Sequence, residues 1–501
     1  MLPSAIGATY FYFRLDAEGS ATAFQSMSAL LISAGIGTVI GGLLVFLGRS
    51  GGQQLGRKEA LLLVSLSWVV GAALAALPFR LWDEMAAPTN EQGFNSYVNC
   101  YFEAMSGLTT TGSSVLSNIE ALPKSLLLWR AFIQWLGGIG IVVLFVAVLP
   151  ILGVGGKRLF KFEAPGPKKE GVRPRIRAAA QMLWIIYVCI TIVEILALRI
   201  GGLGWFDALC HSLTTLATGG FSTKNASVTG LGGWHFEVII MVFMFLAGVN
   251  FGLYDQLING QWRAVLKNPE LRTYVGIIGV ASVLIAVPMI GSPIPTMNAT
   301  EPDIGIWHTI RHSMFTVISL QTTTGFGTAD YDQWSGPSQA LLVTLMFVGG
   351  CAGSTGGGIK VIRFVILVKV LVAEIQAVFR PYVVQTIRVG RTVIDHDLRS
   401  ATLVFFLLYG VLVVVGTVGV LAFEPPGELG ATGVDASISA FSAVAATLNN
   451  IGPGLGHVGP THNFAHLTSE TKILLSILMA MGRLELFAFV VLFVPAFWRE
   501  E

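Results

Sequence analysis

The chain has 501 residues, of which 53% are hydrophobic and only 12% are charged, and its mean hydropathy is +0.70. A soluble protein carries about 25% charged residues, so this composition excludes a soluble globular fold and predicts an integral membrane protein. The formal net charge of +2 decides little, because in membrane proteins the placement of Lys and Arg matters more than their total.

The apolar runs, taken in chain order, predict an all-α membrane protein in which one unit occurs four times. Each unit consists of an outer helix, a short helix that re-enters the membrane, a segment rich in Thr and Gly, and an inner helix. The predicted outer helices are residues 60–82, 178–200, 274–290 and 402–423. The predicted short helices are residues 94–108, 205–216, 307–320 and 435–448. The predicted inner helices are residues 126–152, 238–258, 339–378 with an interruption at 349–358, and 473–497.

These units divide the chain into seven predicted parts. Residues 1–58 form an N-terminal extra helix pair, in which 28–47 is a spanning candidate and 2–13 is shorter than the roughly 20 residues of a full span. The other parts are repeat one (59–156), a basic cytoplasmic connector (157–177), repeat two (178–262), repeat three with a broken inner helix (263–379), a cytoplasmic connector (380–400) and repeat four (401–501).

A segment containing glycine joins the short helix to the inner helix in each unit. The four segments read TTTGS from Thr109, LATGG from Leu216, TTTGF from Thr322 and NNIGP from Asn449. Their glycines, Gly112, Gly219, Gly325 and Gly452, are separated by 107, 106 and 127 residues. A near-constant period indicates tandem copies of one structural unit, here four copies of a pore-forming unit in a single chain.

The residue types in these segments favour cation binding by the backbone. Glycine adopts conformations that a side chain would forbid, so successive carbonyl oxygens can point in one direction. Four such segments around an axis would replace the hydration shell of a cation, as filter loops do in potassium channels. A single Thr-Thr-Thr-Gly run is more typical of a polar helix cap or turn, and the interpretation as a filter depends on the four equivalent copies.

The distribution of charge predicts which side of the membrane each loop faces. Lys and Arg are concentrated around residues 49–58, 157–177, 263–272 and 380–399, whereas the opposite loops contain Asp83, Glu84, Glu91, Asp303, Asp330, Asp332, Glu424 and Glu428. Because basic loops remain in the cytoplasm, the glycine segments should face the outside and the C-terminus the cytoplasm. The outer acids could concentrate cations at the mouth or simply keep exposed loops soluble.

Two further features are expected below the glycine segments. The run GGCAGSTGGG at residues 349–358 lacks the Gly-Lys-Ser/Thr ending of a phosphate-binding loop and is better interpreted as a flexible barrier within an inner helix. Arg483 lies about twelve residues into the last predicted helix. An Arg at that depth costs about 2.5–3.5 kcal/mol on insertion scales, so it either faces a polar pore, where it would raise the barrier to cations, or reaches the membrane surface.

Several motifs together resemble one known family. They include FEAMSGLTTTGSS, TTTGFG, GGCAGSTGGGIKVIR from Gly349, ATLNNIGPGLG, and GRLELF from Gly482. The chain resembles the TrkH/KtrB family of bacterial potassium transporters, and its extra N-terminal helices are similar to those of the TrkH branch. The resemblance implies that K⁺ is the bound and transported ion, that no organic cofactor is bound, and that the protein is not an enzyme.

The resemblance also implies roles for particular residues. The implied potassium-binding filter consists of Thr110, Thr111, Gly112, Ala217, Thr218, Gly219, Thr323, Thr324, Gly325, Asn450, Ile451 and Gly452. The implied gating loop contains Gly349, Gly350, Gly353, Ser354, Thr355, Gly356, Gly357 and Gly358, and Arg483 is the implied pore barrier.

The expected partners follow from the same resemblance. We expect a homodimer in the bacterial inner membrane, surrounded by lipid and gated by a cytoplasmic ring of TrkA-like nucleotide-binding subunits, with no nucleic acid bound. The basic connectors are natural docking surfaces for that ring, although solvated cytoplasmic loops would have the same composition.

Two other function classes remain as alternatives. A sodium- or proton-coupled symporter with alternating access would need inverted repeats and an ionisable residue at mid-membrane, whereas the repeats here look parallel. A membrane enzyme would have to use Glu103, Glu194, His211, His308 or His312, which lack the spacing of a metal-binding motif.

Overall fold

The computed structural model describes residues 17–50, 56–86, 93–147, 172–297, 304–380, 382, 386–390 and 392–499. The predicted apolar run at 2–13, most of the basic connector 157–177, and Glu91 and Asp303 lie outside the described residues.

The described residues are predominantly helical. In chain order the helices are α1 (Ala17–Leu47), α2 (Arg57–Met85), α3 (Tyr97–Leu108), α4 (Lys124–Ala147), α5 (Val172–Ile200), α6 (Trp205–Leu216), α7 (Trp234–Ala247), α8 (Phe251–Ile258), α9 (Trp262–Leu266), α10 (Pro269–Ala286), α11 (Ile306–Gln321), α12 (Gly336–Met346), α13 (Val361–Phe379), α14 (His396–Phe423), α15 (Gly433–Leu448), α16 (Ser469–Arg483) and α17 (Phe487–Val490). A short antiparallel hairpin pairs β1 (Arg388–Val389) with β2 (Thr392–Val393).

The long helices have the composition of membrane spans. Among the described residues, five helices are long and apolar enough to cross a bilayer, at Thr22–Leu47, Lys58–Met85, Ala180–Ile200, Pro269–Met289 and His396–Phe423. Their outward faces are apolar as well: on α14, Leu407 is 71% exposed and Val414 is 63% exposed. Such continuous apolar surface is stable against lipid and unfavourable in water, which confirms the prediction of a helical membrane protein.

Two inner helices that we expected to be continuous are bent. The predicted helix at 238–258 is α7 followed by α8 at 93°, and the predicted helix at 473–497 is α16 followed by residues Phe487–Phe493 at 119°. Hydropathy averaged over a helix-length window does not reveal either bend, because the apolar run resumes after the isolated polar residues Asn250, Arg483 and Glu485. At the first bend, Asn250 caps α8 by accepting a hydrogen bond from the Gly252 N–H at 2.7 Å.

The predicted interruption of the third inner helix is confirmed. Helix α12 ends at Met346 and α13 begins at Val361. The chain between them runs without regular helix through the glycine-rich residues 349–358, and a bridge between Val348 and Ile359 closes its two ends.

The buried cores join the units in pairs. One apolar cluster packs α2, α3 and α4 against α14, α15 and α16, and thus connects repeat one with repeat four. A second cluster joins residues of α7 with those of α10, α11 and α12, and thus connects repeat two with repeat three. The short helices contribute to these clusters, α3 and α15 to the first and α6 and α11 to the second, and most of their residues are buried.

Candidate functional site

All four short helices end in the same backbone turn. Two residues beyond the last helical residue, the chain enters the left-handed region, with φ of 54° at Thr110, 55° at Thr218, 60° at Thr323 and 56° at Asn450. The next backbone N–H donates back to the carbonyl five residues earlier. These bonds join Thr111 to Ser106 (2.8 Å), Gly219 to Thr214 (2.9 Å), Thr324 to Ser319 (2.8 Å) and Ile451 to Ala446 (2.8 Å). This is the Schellman ending, in which the left-handed residue is usually glycine.

The left-handed threonines are strained. A β-branched residue at positive φ is a conformational outlier, and such conformations cost about 1–3 kcal/mol and persist where the surrounding structure enforces them. Thr110, Thr218 and Thr323 all adopt this conformation. Because strain of this kind concentrates at functional sites, the recurrence of the turn indicates that the segments that follow it form a functional site.

The register of the second segment differs from the prediction by one residue. The glycines two positions beyond the left-handed residues are Gly112, Gly220, Gly325 and Gly452, with φ of 88°, 74°, 79° and 104°. Gly220 is therefore the counterpart of Gly112, and the predicted set Ala217, Thr218 and Gly219 begins one residue too early. The glycine pair made the alignment ambiguous, but the aromatic residue after the glycine, Phe221 like Phe326, would have identified the correct register.

The four segments form a closed ring. A Cβ added at Gly112 would clash with the Gly219 carbonyl oxygen, one at Gly220 with that of Thr324, and one at Gly325 with that of Ile451. The ring closes because a Cβ at Gly452 would lie 2.9 Å from the Thr111 carbonyl oxygen. Glycine is required at these positions both by positive φ and by the close approach of the neighbouring backbone.

A cavity of about 220 Å³ opens directly above the ring. Its lining includes the four ring glycines together with residues such as Ser113, Phe221 and Pro453 that immediately follow them. The ring therefore forms the floor of a water-accessible vestibule to which all four units contribute.

Buried polar side chains support the ring from behind. The carboxylate of Glu103 accepts hydrogen bonds from Ser114 Oγ at 3.0 Å and from the Val115 N–H at 2.9 Å. It also pairs with Arg130 at 2.7 Å, and the Arg130 guanidinium stacks on Phe221 with 4.0 Å between its Cζ and the ring centroid. Glu103, considered above as an enzyme candidate, thus fixes the chain that leaves the first segment and connects it to the second.

The other enzyme candidates do not form a common site. His211 contacts the Asp207 carbonyl at 2.8 Å and Ser222 Oγ at 3.0 Å, whereas His312 contacts Thr328 Oγ1 at 2.9 Å. No group of three His, Cys, Asp or Glu residues with metal-binding geometry occurs among the described residues.

The glycine-rich break lies against the inner side of the ring. The Gly357 N–H donates to Thr323 Oγ1 at 2.6 Å, and a Cβ at Gly357 would clash with the Asn449 carbonyl oxygen. The break is also held from the opposite side, where the Glu270 carboxylate accepts from the Ala352 N–H at 2.7 Å and from the Ile362 N–H at 3.3 Å. It therefore lies between the ring and α10 in a defined conformation.

Arg483 connects the break to the first repeat. It is the last residue of α16, is only 2% exposed, and donates to the carbonyl oxygens of Thr355 at 2.8 Å and Gly137 at 3.0 Å. The side chain therefore lies inside the protein, between repeats one, three and four. This position argues against the alternative in which Arg483 extends to the membrane surface.

The outer acids Asp330 and Asp332 are part of the folded loops. Asp330 is only 8% exposed and accepts from Gln333 Nε2 at 2.7 Å, while Asp332 accepts from the Gly456 N–H at 3.1 Å. Burial raises the pKa of Asp332 to about 7, against the opposing effect of the Gly456 hydrogen bond. For these two residues, the contacts favour a structural role over attraction of cations to the mouth.

Arg130 and Gln134 are site residues that the sequence reasoning missed. Both lie on α4, four residues apart and therefore on one helix face, and both are buried. Two polar residues at this spacing within an otherwise apolar inner helix were the available signal.

Comparisons with known proteins find similarity over nearly the whole chain. The sequence model of the TrkH family, described as cation transport protein, matches residues 28–500. The Trk system potassium uptake protein TrkH of Salmonella typhimurium is 38% identical over 467 residues, which cover 93% of this chain and 91% of that protein. The protein of the same name from Halomonas elongata is 37% identical over 480 residues, which cover 94% of this chain and 92% of that protein. The crystal structure of the potassium transporter TrkH from Vibrio parahaemolyticus superposes with a TM-score of 0.81 at 32% identity and covers 99% of this chain and 97% of that one.

Proposed function

Because this chain belongs to the TrkH family of cation transport proteins, we propose that it takes up K⁺ across the bacterial cytoplasmic membrane through the ring of four glycine segments. The observation that carries the proposal is the closed contact of the segments beneath one vestibule. The proposed filter, in the corrected register, comprises Thr110–Gly112, Thr218–Gly220, Thr323–Gly325 and Asn450–Gly452.

The chemistry of the filter is electrostatic. Carbonyl oxygens around the ring replace the water that K⁺ loses when it enters. Helices α3, α6, α11 and α15 all end at the ring, so the partial negative charges of their C-termini point toward the bound cation. Because all four helices approach the ring in the same direction, the arrangement also fits a pore better than a symporter with inverted repeats.

Passage to the cytoplasm is controlled below the filter. The break at 349–358 contacts the filter through Gly357 and Thr323, and Arg483 places a positive charge beside it. A cation leaving the filter meets this charge and the backbone of the break, so conduction requires the break to move. The barrier consists of the break together with Arg483.

The proposed assembly places the filter outside and the C-terminus in the cytoplasm. Two copies form a homodimer, and a TrkA-like nucleotide-binding ring acts on the basic cytoplasmic segments. The hairpin of β1 and β2 with the start of α14 offers one docking region, because Arg388 and Arg399 are located there and the hairpin is the next element after α13 in the chain. Motion of α13 would then reach the break.

Ion flux in proteoliposomes tests the proposed filter. Gly325→Ala introduces a Cβ that clashes with the Ile451 carbonyl and strains a residue at φ 79°, so we expect the ratio of K⁺ to Na⁺ uptake to fall by about tenfold or more, equivalent to about 1.4 kcal/mol. Gly410→Ala is the matched control, because a Cβ there meets nothing within 4 Å. An unchanged ratio in folded Gly325→Ala protein would contradict the filter assignment.

A further inference from the structure

The second segment of the ring lacks a side chain that the other three possess. Thr111, Thr324 and Ile451 occupy the position before the ring glycine, and Gly219 is their counterpart. In repeats one and three, the hydroxyl at this position contacts a second threonine, with 2.8 Å between Thr109 and Thr111 and between Thr322 and Thr324. Repeat two has Ala217 and Gly219 instead, so its segment lacks this internal brace.

Gln134 of α4 occupies the vacant space. A Cβ at Gly219 would clash with Gln134 Cδ and would lie 2.5 Å from Oε1 and 2.7 Å from Nε2. The Gln134 side chain is fully buried, so its amide must be hydrogen-bonded to avoid a desolvation cost.

The amide holds the backbone on both sides of Gly220. Gln134 Nε2 donates to the Gly219 carbonyl oxygen at 2.7 Å, and the Phe221 N–H donates to Gln134 Oε1 at 3.2 Å. Helix α4 can approach this closely because its next turn carries Gly137 and Gly138; a Cβ at Gly138 would lie 2.8 Å from the Ala217 Cα. The same helix therefore supplies the brace and the space for it.

We infer that Gln134 is a positioning residue for the ion filter, whose side-chain amide replaces the side chain that Gly219 lacks and fixes the repeat-two carbonyls at the ring. The inference rests on the proposed filter function. Because Gly219 also contacts Gly112 of the neighbouring segment, a displaced second segment would change the spacing of carbonyls on two sides of the ring.

The expected consequence is a loss of discrimination. Carbonyls that are free to move inward can also coordinate the smaller Na⁺, so Na⁺ uptake should rise relative to K⁺ uptake. Gln134→Met keeps the length and approximate volume of the side chain and removes both hydrogen bonds. We expect the K⁺ to Na⁺ uptake ratio to fall roughly tenfold, which corresponds to about 1.4 kcal/mol and to one or two net hydrogen bonds.

The experiment compares four full-length variants in proteoliposomes. Gln134→Met and the smaller Gln134→Ala test the brace. Ser125 lies on α4, as Gln134 does, but away from the ring. Ser125→Ala removes its buried 2.7 Å hydrogen bond to Ser26 of α1 and should leave the uptake ratio unchanged. Gly325→Ala reports on the filter itself.

The outcomes separate this inference from the proposed function. A lower ratio in Gln134→Met and Gln134→Ala, with Ser125→Ala unchanged, supports the positioning role. An unchanged ratio in both Gln134 variants, with a lower ratio in Gly325→Ala, overturns the role of Gln134 and leaves the filter in place. Unchanged ratios in all the variants overturn both.

A paired substitution provides a second readout for variants that purify poorly. Gly219→Ala alone should lower the yield of folded protein, because its Cβ collides with Gln134. Combining it with Gln134→Ala removes the obstructing side chain, so the double variant should recover folded protein relative to Gly219→Ala. Equal or greater loss in the double variant would contradict the complementary fit of the two positions.

Discussion

Individual residues at the ring combine strain with buried polar support. Thr110, Thr218 and Thr323 adopt a left-handed conformation that an unconstrained chain would avoid, and buried polar side chains hold the chain that follows the segments. Glu103 and Arg130 are an example, because both side chains are buried and each compensates the charge of the other in an ion pair. Removing one member of such a pair costs about 3–5 kcal/mol, since an uncompensated charge remains. The geometry of the proposed filter would therefore depend on residues that need not touch the ion.

Arg483 should limit conduction through its charge. Arg483→Ala removes the cation and its hydrogen bonds to Thr355 and Gly137, so we expect K⁺ flux to rise roughly tenfold or more, because hydrogen bonds from charged groups contribute about 1.5–3 kcal/mol. Arg483→Lys keeps the positive charge, so its K⁺ flux should remain close to that of the unsubstituted protein. The measurement is K⁺ uptake into proteoliposomes, and unchanged or lower flux in a folded Arg483→Ala variant would be evidence against the barrier.

Elements at this site differ in how far the sequence specifies them. The short helices were predicted to within about three residues, because their apolar runs end at polar segments. The helix break at 349–358 was also predicted, since ten residues with six glycines cannot sustain a helix. The bend after α7 has the Asn250 cap as its local signal, which hydropathy does not register. The bend after α16 depends on a tertiary contact: Glu485, at φ 58°, pairs with Arg363 of α13 at 2.5 Å, and nothing in the local sequence indicates that partner.

The outer loop around Asp332 should give the protein a pH-dependent stability. Burial raises the pKa of Asp332 from 3.8 to about 7, so the folded protein favours the protonated carboxyl. The favourable contribution of Asp332 to the free energy of unfolding is fully present below about pH 4 and is lost as the pH rises through about 7. We expect the thermal stability in detergent to decrease over that range, and to decrease less in Asp332→Asn. A parallel decrease in the Asp332→Asn variant would assign the effect to other groups.

The whole molecule brings together residues that are far apart in the chain. The fourfold period predicted four equivalent segments, and the contacts of their glycines close them into one ring. The period could not fix the register within Gly219–Gly220, and it could not identify Gln134, because that residue supports the ring from the inner helix of another repeat. The repeat period therefore predicted the common architecture, while the contacts by which another repeat compensates for the differences between segments became visible only in three dimensions.

The central claim is that main-chain oxygens from all four segments surround one dehydrated potassium ion. The most direct measurement is a crystal structure of the protein in Rb⁺, with the ion located by its anomalous scattering. The proposal predicts a peak on the axis of the ring, coordinated by carbonyls of the segments that end at Gly112, Gly220, Gly325 and Gly452. A peak held by only one or two repeats, or a ring without bound Rb⁺ in protein that transports it, would contradict the claim.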